Sequence, residues 1–364
     1  MAPDETEHPV LLRAEGRTAY AVLNRPRALN SLTHPMVRAL DAALGAWERD
    51  EAIEAVVVSG AGERGLCAGG DIRAIHDDAR AGGRASIGFW RDEYRLNARI
   101  ARLTTPYVAL MDGIVMGGGV GVAAHGGVRI VTERSRVAMP ETAIGFVPDV
   151  GGTWLLSRAP GELGTYLALT GNAVGAGDAI ALGLADHHVP SERLAELVSA
   201  VAAHGPAEAV RRYARPAPEG RLADARAWID DCFAADTVEE ITGRLLAHGG
   251  HGPAEAADTL AERSPRALKV TLESMRRARE LDSLEAVLEQ EFRVSCASFA
   301  SPDLMEGIRA QVIDKDRSPK WSPSALAGVS RAEVERHFGD PGVPGLALGG
   351  PGSGVGGPGS GVRG

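Results

Sequence analysis

Lysine, cysteine and aromatic residues are all scarce in this chain of 364 residues. Three lysines stand against 36 arginines, the formal charge is −9, and no long basic run occurs. This balance argues against a nucleic-acid surface. The three cysteines have no paired spacing, which excludes both a disulfide framework and a Cys-x-x-Cys metal site.

Long apolar runs are missing as well. No uninterrupted stretch approaches the roughly 18 apolar residues of a membrane span, so no membrane partner is expected. The first ten residues are acidic and lack an apolar centre, so we do not expect a signal peptide. A cytoplasmic protein is the simplest prediction. Since 44% of the residues are hydrophobic but only 4% are aromatic, Ala, Val and Leu must build most of the core.

Short apolar runs alternate with glycine-rich turns and helical stretches in the first half of the chain. Residues 10–23 contain two apolar runs around a Glu-Gly turn, which predicts a hairpin. Thr33, with Pro35 close behind it, predicts the start of a helix. Further strand-like runs occupy residues 55–62, 107–119 and 128–141. This alternation is typical of an α/β domain.

Composition divides the chain into four parts. Residues 1–9 form an N-terminal tail and residues 10–200 the α/β core domain. Residues 201–338 are alanine-rich and predict a C-terminal helical region. Residues 339–364 are rich in Gly, Pro and Ser. We expect this last part to be disordered, because it has too few apolar side chains to pack.

Two glycine clusters follow apolar strands, "GLCAGGDI" at 65–72 and "MGGGVGV" at 116–122. Glycines let the backbone approach a ligand closely and turn free N–H groups towards it. The lysine and hydroxyl of a phosphate loop are missing, and the spacing is not that of a dinucleotide-binding turn. A tight strand-to-helix turn is the alternative for the first cluster. Together, the clusters favour an oxyanion hole with one N–H from each loop.

A third candidate stretch, "AMPETAIGFVPDVGG", contains two acids that each follow a proline, Glu141 and Asp149. Taken singly, Glu141 is better explained as a surface acid at a strand end, and Asp149 as a helix N-cap. Beside two glycine-rich sites suited to a negative oxygen, a catalytic pair becomes the stronger interpretation.

Four motifs resemble the crotonase (enoyl-CoA hydratase/isomerase) superfamily in both order and spacing. They are "NRPRALNSL", "GLCAGGDIR", "PYVALMDGIVMGGGVGV" and "MPETAIGFVPDVGG". The "PETAIG…PDVGG" pair and "GIRAQVIDKDRSPKW" at 307–321 are similar to the branch that hydrolyses 3-hydroxyisobutyryl-CoA. The resemblance covers roughly residues 10–338.

The resemblance implies a crotonase-like spiral of strand–strand–helix turns, completed at the acyl-CoA site by the C-terminal helical region. It places the oxyanion donors at the backbone N–H groups of Ala68 and Gly118. It makes Glu141 the catalytic glutamate and Asp149 the acid that distinguishes the hydrolase branch. Glu93 matches a further substrate-binding residue.

The resemblance also implies an acyl-CoA partner, without a metal or redox cofactor, because CoA is part of the substrate. Arg25, Arg27 and Asp71 are expected at the CoA channel, with a surface-loop role as the alternative for either arginine. Lys315 and Lys320 either close over the nucleotide or brace the last helix. Superfamily members often form trimers or pairs of trimers, so the resemblance is compatible with a homo-oligomer.

The expected activity is hydrolysis of a short-chain 3-hydroxyacyl-CoA, chiefly 3-hydroxyisobutyryl-CoA in valine catabolism. Hydratases of the superfamily use two glutamates, and Gly121 stands where the first is expected. An enoyl-CoA hydratase or isomerase that uses Glu141 alone is one alternative. A non-catalytic acyl-CoA-binding protein is the other.

Overall fold

The computed structural model describes residues 8–348, so residues 1–7 and 349–364 of the two predicted tails lie outside the described residues. The strands are β1 (Val10–Glu15), β2 (Thr18–Leu23), β3 (Ala55–Gly60), β4 (Gly65–Cys67), β5 (Tyr107–Met111), β6 (Ile114–Met116), β7 (Val128–Val131), β8 (Arg136–Ala138) and β9 (His187–His188). The helices of the first half are α1 (His34–Trp47), α2 (Ile72–Arg80), α3 (Ala85–Arg102), α4 (Gly118–Ala123), α5 (Gly152–Ser157), α6 (Leu163–Thr170) and α7 (Ala176–Ala181).

The second half of the described chain is helical. Its helices are α8 (Leu194–His204), α9 (Pro206–Tyr213), α10 (Leu222–Phe233), α11 (Val238–His248), α12 (His251–Glu262), α13 (Pro265–Glu280), α14 (Leu284–Phe299), α15 (Pro302–Ile308) and α16 (Arg331–Arg336). Short 3₁₀ turns include Pro26–Ala28 and Glu141–Ile144, and a π-helical turn, Arg309–Ile313, follows α15. Among the described residues, none of the helices has both the length and the apolar character required to cross a membrane.

Two sheets form the centre of the fold. The larger has the order β1-β2-β3-β5-β7-β9, antiparallel between β1 and β2 and parallel elsewhere. The smaller is a parallel sheet with the order β4-β6-β8. Three successive strand pairs therefore each place their first strand in the large sheet and their second in the small one. The α/β spiral of strand–strand–helix turns expected from the sequence is confirmed.

Local signals predicted the early elements well. The 10–23 hairpin is confirmed, and α1 begins after Thr33 with a proline in its first turn. The 107–119 run, however, is two strands followed by the start of α4. Gly113 makes the break: its φ is 65°, and an added Cβ would lie 2.6 Å from Arg64 O. This turn carries the chain from the large sheet to the small one.

Helices α3 and α14 pack against each other, and both carry polar residues within their buried faces. In α3 these are Glu93, Tyr94 and Asn97, which lie among Phe89, Trp90, Leu96 and Ile100. In α14, Glu291 and Ser295 lie between the buried Val287, Leu288, Phe292 and Val294. Buried polar groups need hydrogen-bond partners, so we expect these residues to form hydrogen bonds in addition to the packing of the two helices.

The predicted disorder is wrong for residues 339–348 of the C-terminal tail. Residues 339–348 are described and dock on the protein, with Leu346 fully buried and Arg91 donating to Pro344 O at 2.9 Å. The average composition of the segment did not predict this contact. One leucine and a few backbone carbonyl groups are enough to anchor a segment that is otherwise rich in Gly and Pro.

Candidate active site

A cavity of about 580 Å³ opens where the glycine loops after β4 and β6 face α3, the Glu141–Ile144 turn and α15. Seven of the eight site residues expected from the sequence line it, namely Arg25, Ala68, Asp71, Glu93, Gly118, Glu141 and Asp149. Arg27 does not line the cavity; it lies exposed on the Pro26–Ala28 turn. The sequence therefore predicted seven of the 25 residues that line the cavity, although these seven come from distant segments of the chain.

One of the two expected oxyanion donors is corrected by the backbone geometry. The N–H of Ala68 donates to Leu29 O at 3.0 Å, so it is not available to a substrate. The N–H of Gly70 has no acceptor among the described residues, and neither has that of Gly118 at the start of α4. A Cβ added at Gly118 would lie 3.3 Å from Gly70 N. The two free donors are therefore Gly70 and Gly118.

The glycines that follow in α4 are required by close packing. A Cβ at Gly119 would lie 2.3 Å from Cys67 O. A Cβ at Gly121 would lie 2.7 Å from Val150 Cβ and 2.8 Å from Asn97 Nδ2. The position at which hydratases of the superfamily are expected to carry their first glutamate therefore has no room for a side chain.

Two glutamates flank the glycine loop. Glu141 opens the 3₁₀ turn after β8, and its Oε1 lies 2.7 Å from the position of a Cβ at Gly117. Glu93, from α3, has its Oε1 2.6 Å from the position of a Cβ at Gly118. Glu93 Oε1 and Glu141 Oε2 are buried and have no hydrogen-bond partner among the described residues. Unsatisfied buried acceptors are rare in folded proteins and point to a ligand that supplies the missing donors.

Burial dominates the electrostatics of this acidic cluster. It raises the pKa of Glu141 and of Glu93 well above the usual range, and the charge of Asp149 raises both further. Burial also raises the pKa of Asp149 to about 7, while a hydrogen bond from Tyr94 acts in the opposite direction. A carboxyl group with a pKa near 7, such as that of Asp149, is suited to proton transfer. The titrations of the three groups are coupled because the groups interact.

Tyr94 is a residue that the sequence analysis did not single out. Its hydroxyl donates to Asp149 Oδ2 at 2.7 Å, and both side chains are buried. Asp149 itself does not cap α5, since Gly151 occupies the N-cap position. The sequence did contain a signal, because α3 carries several polar residues within its apolar stripe. The partner of Tyr94 could not be inferred from α3 alone.

At the mouth of the cavity, Arg25 is held by its neighbours. Its guanidinium donates to Ser31 O at 2.6 Å and to Asp71 Oδ2 at 3.0 Å. Asp71 also caps α2 through Ala74 N. The π-helical turn after α15 contributes Gln311 and Val312 to the lining, so the C-terminal helical part of the chain forms one side of the mouth. Within residues 8–348, no group of three or more His, Cys, Asp or Glu side chains is arranged to hold a metal ion.

The spiral fold and a glycine loop facing buried acids are the features of a crotonase-type enzyme. A family model described as enoyl-CoA hydratase/isomerase matches residues 18–338. The chain belongs to this family.

Relatives and solved structures of high similarity carry two kinds of name. A 3-hydroxyisobutyryl-CoA hydrolase, mitochondrial, of Danio rerio is 42% identical over 90% of this chain and 89% of its own length. The human protein of the same name is 40% identical over 90% and 88%. A structure described as a carnitinyl-CoA dehydratase from Mycobacterium thermoresistibile is 54% identical, with a TM-score of 0.89, over 92% of this chain and 97% of that one. An enoyl-CoA hydratase structure from Rhodobacter sphaeroides is 44% identical, with a TM-score of 0.89, over 93% and 100%.

Proposed function

We propose that the chain hydrolyses a short-chain 3-hydroxyacyl-CoA thioester to the free acid and CoA, with 3-hydroxyisobutyryl-CoA as the expected substrate. The observation that carries this proposal is the arrangement of the cavity. Two free backbone N–H groups face three buried carboxyl groups, those of Glu93, Glu141 and Asp149. The names of the curated relatives support the same reaction.

In the proposed reaction, the N–H groups of Gly70 and Gly118 hold the thioester oxygen. This oxygen takes up negative charge as the carbonyl carbon becomes tetrahedral. Donors fixed in place before the reaction stabilise that charge without reorganising, and the loss of one such donor typically costs about 3 kcal/mol in the transition state. Gly70 replaces Ala68 in this role because the N–H of Ala68 is already donated to Leu29.

Glu141 is the group proposed to act at the carbonyl carbon. By one route its carboxylate attacks the carbon, the C–S bond breaks, and CoA leaves as the thiolate; water then opens the mixed anhydride and restores Glu141. By the other route Glu141 takes a proton from water, and the water attacks directly. Each route consumes one water molecule and releases one acid and one thiol. Either role requires the ionised form of Glu141, whereas burial raises the pKa of this carboxyl group and favours the protonated form.

Asp149 is proposed to accept a hydrogen bond from the 3-hydroxyl group, with Glu93 as a further substrate contact. A buried acceptor left without its donor is costly, so such a site rejects acyl groups that lack the hydroxyl. Neither step requires a metal or redox cofactor. We place Arg25 and Asp71 at the CoA channel, with Arg25 oriented by its ion pair to Asp71. A cytoplasmic location and a homo-oligomeric assembly stay predictions.

Hydration or dehydration is the second candidate, favoured by the descriptions of the two similar solved structures. It would use Glu141 either alone or together with Glu93, because a glutamate at position 121 could not be accommodated without displacing Val150 and Asn97. Those two carboxyl groups lie next to the glycine loop, at Gly117 and Gly118. The absence of a glutamate at position 121 therefore does not exclude hydratase activity, and assays with an enoyl-CoA can test it.

Thiol release from 3-hydroxyisobutyryl-CoA tests the proposal, with Glu141→Gln and Asp149→Asn beside the wild type. We expect Glu141→Gln to lower kcat at least about 1,000-fold and Asp149→Asn about 100-fold. Asp178→Asn is the matched control, because Asp178 is also a buried carboxyl group but binds Arg221 N and Leu222 N away from the cavity. Its rate should stay within about threefold of the wild type.

Three results would contradict the proposal. Conversion of an enoyl-CoA without thiol release would favour the hydratase. Tight binding of CoA esters with no turnover would favour a non-catalytic acyl-CoA-binding protein. If the Glu141→Gln variant released thiol at the wild-type rate, Glu141 would have no role in the reaction.

A further inference from the structure

The carboxylate of Asp149 is held from behind by a buried chain of hydroxyl groups. Tyr94 OH donates to Asp149 Oδ2 at 2.7 Å, and Ser295 Oγ lies 2.7 Å from the same tyrosine oxygen. Tyr94 and Ser295 are both 0% exposed, and Asp149 is 5% exposed. An ionised carboxylate only accepts hydrogen bonds, so the tyrosine proton points to Asp149. Ser295 must then donate to the tyrosine oxygen.

The backbone that follows Asp149 adopts an unfavourable conformation. Val150 has a φ of 55° and Gly151 a φ of 79°. A β-branched residue rarely enters the left-handed region, because its side chain crowds the following carbonyl group. Such local strain persists only where the surroundings enforce it, and it concentrates at functional sites.

Glu291 supplies that enforcement. Its Oε2 accepts from Gly151 N at 2.6 Å, and its Oε1 accepts from Thr153 N at 2.9 Å and from Thr153 Oγ1 at 2.6 Å. On the other side of the turn, His125 Nε2 lies 2.7 Å from Val150 O. With Glu291 only 1% exposed, the turn is fixed by contacts that water does not reach.

Glu291 and Ser295 lie four residues apart in α14, so both project from the same face of that helix. We propose that Tyr94, Ser295 and Glu291 are positioning residues that aim the Asp149 carboxylate at the 3-hydroxyl group of the acyl chain. This assignment rests on the proposed function. The tyrosine and serine orient the carboxylate itself, and the glutamate fixes the turn that carries it.

The position of Asp149 matters because it is surrounded by acids. Charged and titratable groups face it from every neighbouring element, namely Glu93 and Tyr94 of α3, Glu141 of the 3₁₀ turn, His125 after α4 and Glu291 of α14. Burial lowers the pKa of His125 to about 4, so it is neutral at pH 7, and burial raises the pKa of Glu291 to about 8. Behind the cavity, Tyr94 provides a neutral donor to Asp149, and this hydrogen bond favours the ionised form of the carboxyl group.

Removing the tyrosine hydroxyl separates this role from simple packing. Tyr94→Phe should lower kcat/KM for 3-hydroxyisobutyryl-CoA at least about tenfold, while kcat/KM for isobutyryl-CoA, which lacks the hydroxyl, changes less than about twofold. Because Tyr94 favours the ionised carboxyl group, the acidic side of the pH profile should move to higher pH. Ser295→Ala and Glu291→Gln should also lower kcat/KM for 3-hydroxyisobutyryl-CoA relative to kcat/KM for isobutyryl-CoA. The effect of Ser295→Ala should be the smaller of the two.

Tyr107→Phe is the matched control, since Tyr107 is buried and donates to Val122 O at 2.7 Å. If Tyr94→Phe changes the ratio of the two kcat/KM values and the pH profile no more than Tyr107→Phe does, the positioning role is wrong. The titration of Asp149 should also be followed directly, by NMR of ¹³C-labelled aspartate with the signal assigned through Asp149→Asn. An upward shift in Tyr94→Phe supports the positioning role even if the wild type fails to release thiol. That failure would overturn only the proposed reaction, whereas an unchanged titration would overturn the positioning role.

Discussion

The two walls of the cavity are built on different principles. One wall is backbone, formed by the glycine loops after β4 and β6, and an added Cβ within it would meet main-chain atoms such as Cys67 O at 2.3 Å from Gly119. The other wall is side chains from α3, from the 3₁₀ turn and from Asp149. Behind Asp149 lie Tyr94 of α3 and Ser295 of α14, which are 201 residues apart in sequence. The backbone wall tolerates almost no change of shape. The side-chain wall can be altered one hydrogen bond at a time.

Among the changes that test this contrast between the walls, a methyl group placed in the backbone wall should cause the largest loss of activity. In Gly118→Ala the new Cβ would lie 2.6 Å from Glu93 Oε1 and 3.3 Å from Gly70 N, between the two proposed donors. We expect kcat for thiol release to fall about 100- to 1,000-fold, as for the loss of an oxyanion donor. Steady-state kinetics with one 3-hydroxyacyl-CoA substrate measures this fall.

Gly127→Ala is the control for that substitution, because nothing lies within 4 Å of an added Cβ at Gly127. Its activity should equal that of the wild type. A Gly118→Ala enzyme that retained full activity would mean that the backbone wall does not hold the reacting oxygen.

The contrast between the walls also explains what the sequence could predict. Glycine clusters and proline–acid pairs are local signals, so the motifs located Gly118, Glu141 and Asp149 in advance. The choice between Ala68 and Gly70 was not local, because it depends on the carbonyl of Leu29 in another loop. Ala68 was assigned by motif, and that assignment failed because a hydrogen bond from another segment had already used its N–H.

The network behind Asp149 was missed for a related reason. Tyr94, Glu291 and Ser295 each appear in the sequence as single polar residues within an apolar helical stripe. Such residues are commonly satisfied by nearby backbone groups. Only the packing of α14 on α3 shows that all three converge on one turn.

A change of one acid in the side-chain wall should stabilise the protein in a pH-dependent way. Burial raises the pKa of Asp149 from 3.8 to about 7, so the folded state holds a proton that the unfolded chain releases between those values. Stability from this group is therefore present below about pH 4 and lost as the pH rises through about 7. The upper limit of this loss is about 4 kcal/mol, since a tenfold change in proton affinity corresponds to about 1.4 kcal/mol.

Asp149→Asn removes this titration and keeps an oxygen that can accept from Tyr94. Relative to the wild type, the variant should gain about 2 to 3 kcal/mol between pH 5 and pH 8, as measured by urea unfolding at both pH values. Equal effects at pH 5 and pH 8 would mean that folding does not raise the pKa of Asp149. A gain in stability with a loss of activity is the usual cost of a strained, charged site.

The smallest effect is expected where the side-chain wall is braced from outside. Leu346 is fully buried, Arg95 Nε donates to Leu346 O at 3.0 Å, and Glu289 Oε1 accepts from Ala347 N at 3.0 Å. These contacts join α3 to α14 on the face away from the cavity. Leu346→Ala should lower the free energy of unfolding by about 2 kcal/mol, while kcat changes less than about threefold, because the hydrogen bonds at Asp149 are not touched.

Leu246→Ala is the control for this last variant, since Leu246 is 68% exposed and its loss should cost less than about 0.5 kcal/mol. Urea unfolding and thiol-release kinetics on the same preparations separate the two contributions. If Leu346→Ala lowered kcat as strongly as Tyr94→Phe, the docked segment would be setting the geometry at Asp149. The two helices would then depend on an external brace for their alignment, and the division between an inflexible backbone wall and an independently adjustable side-chain wall would no longer hold.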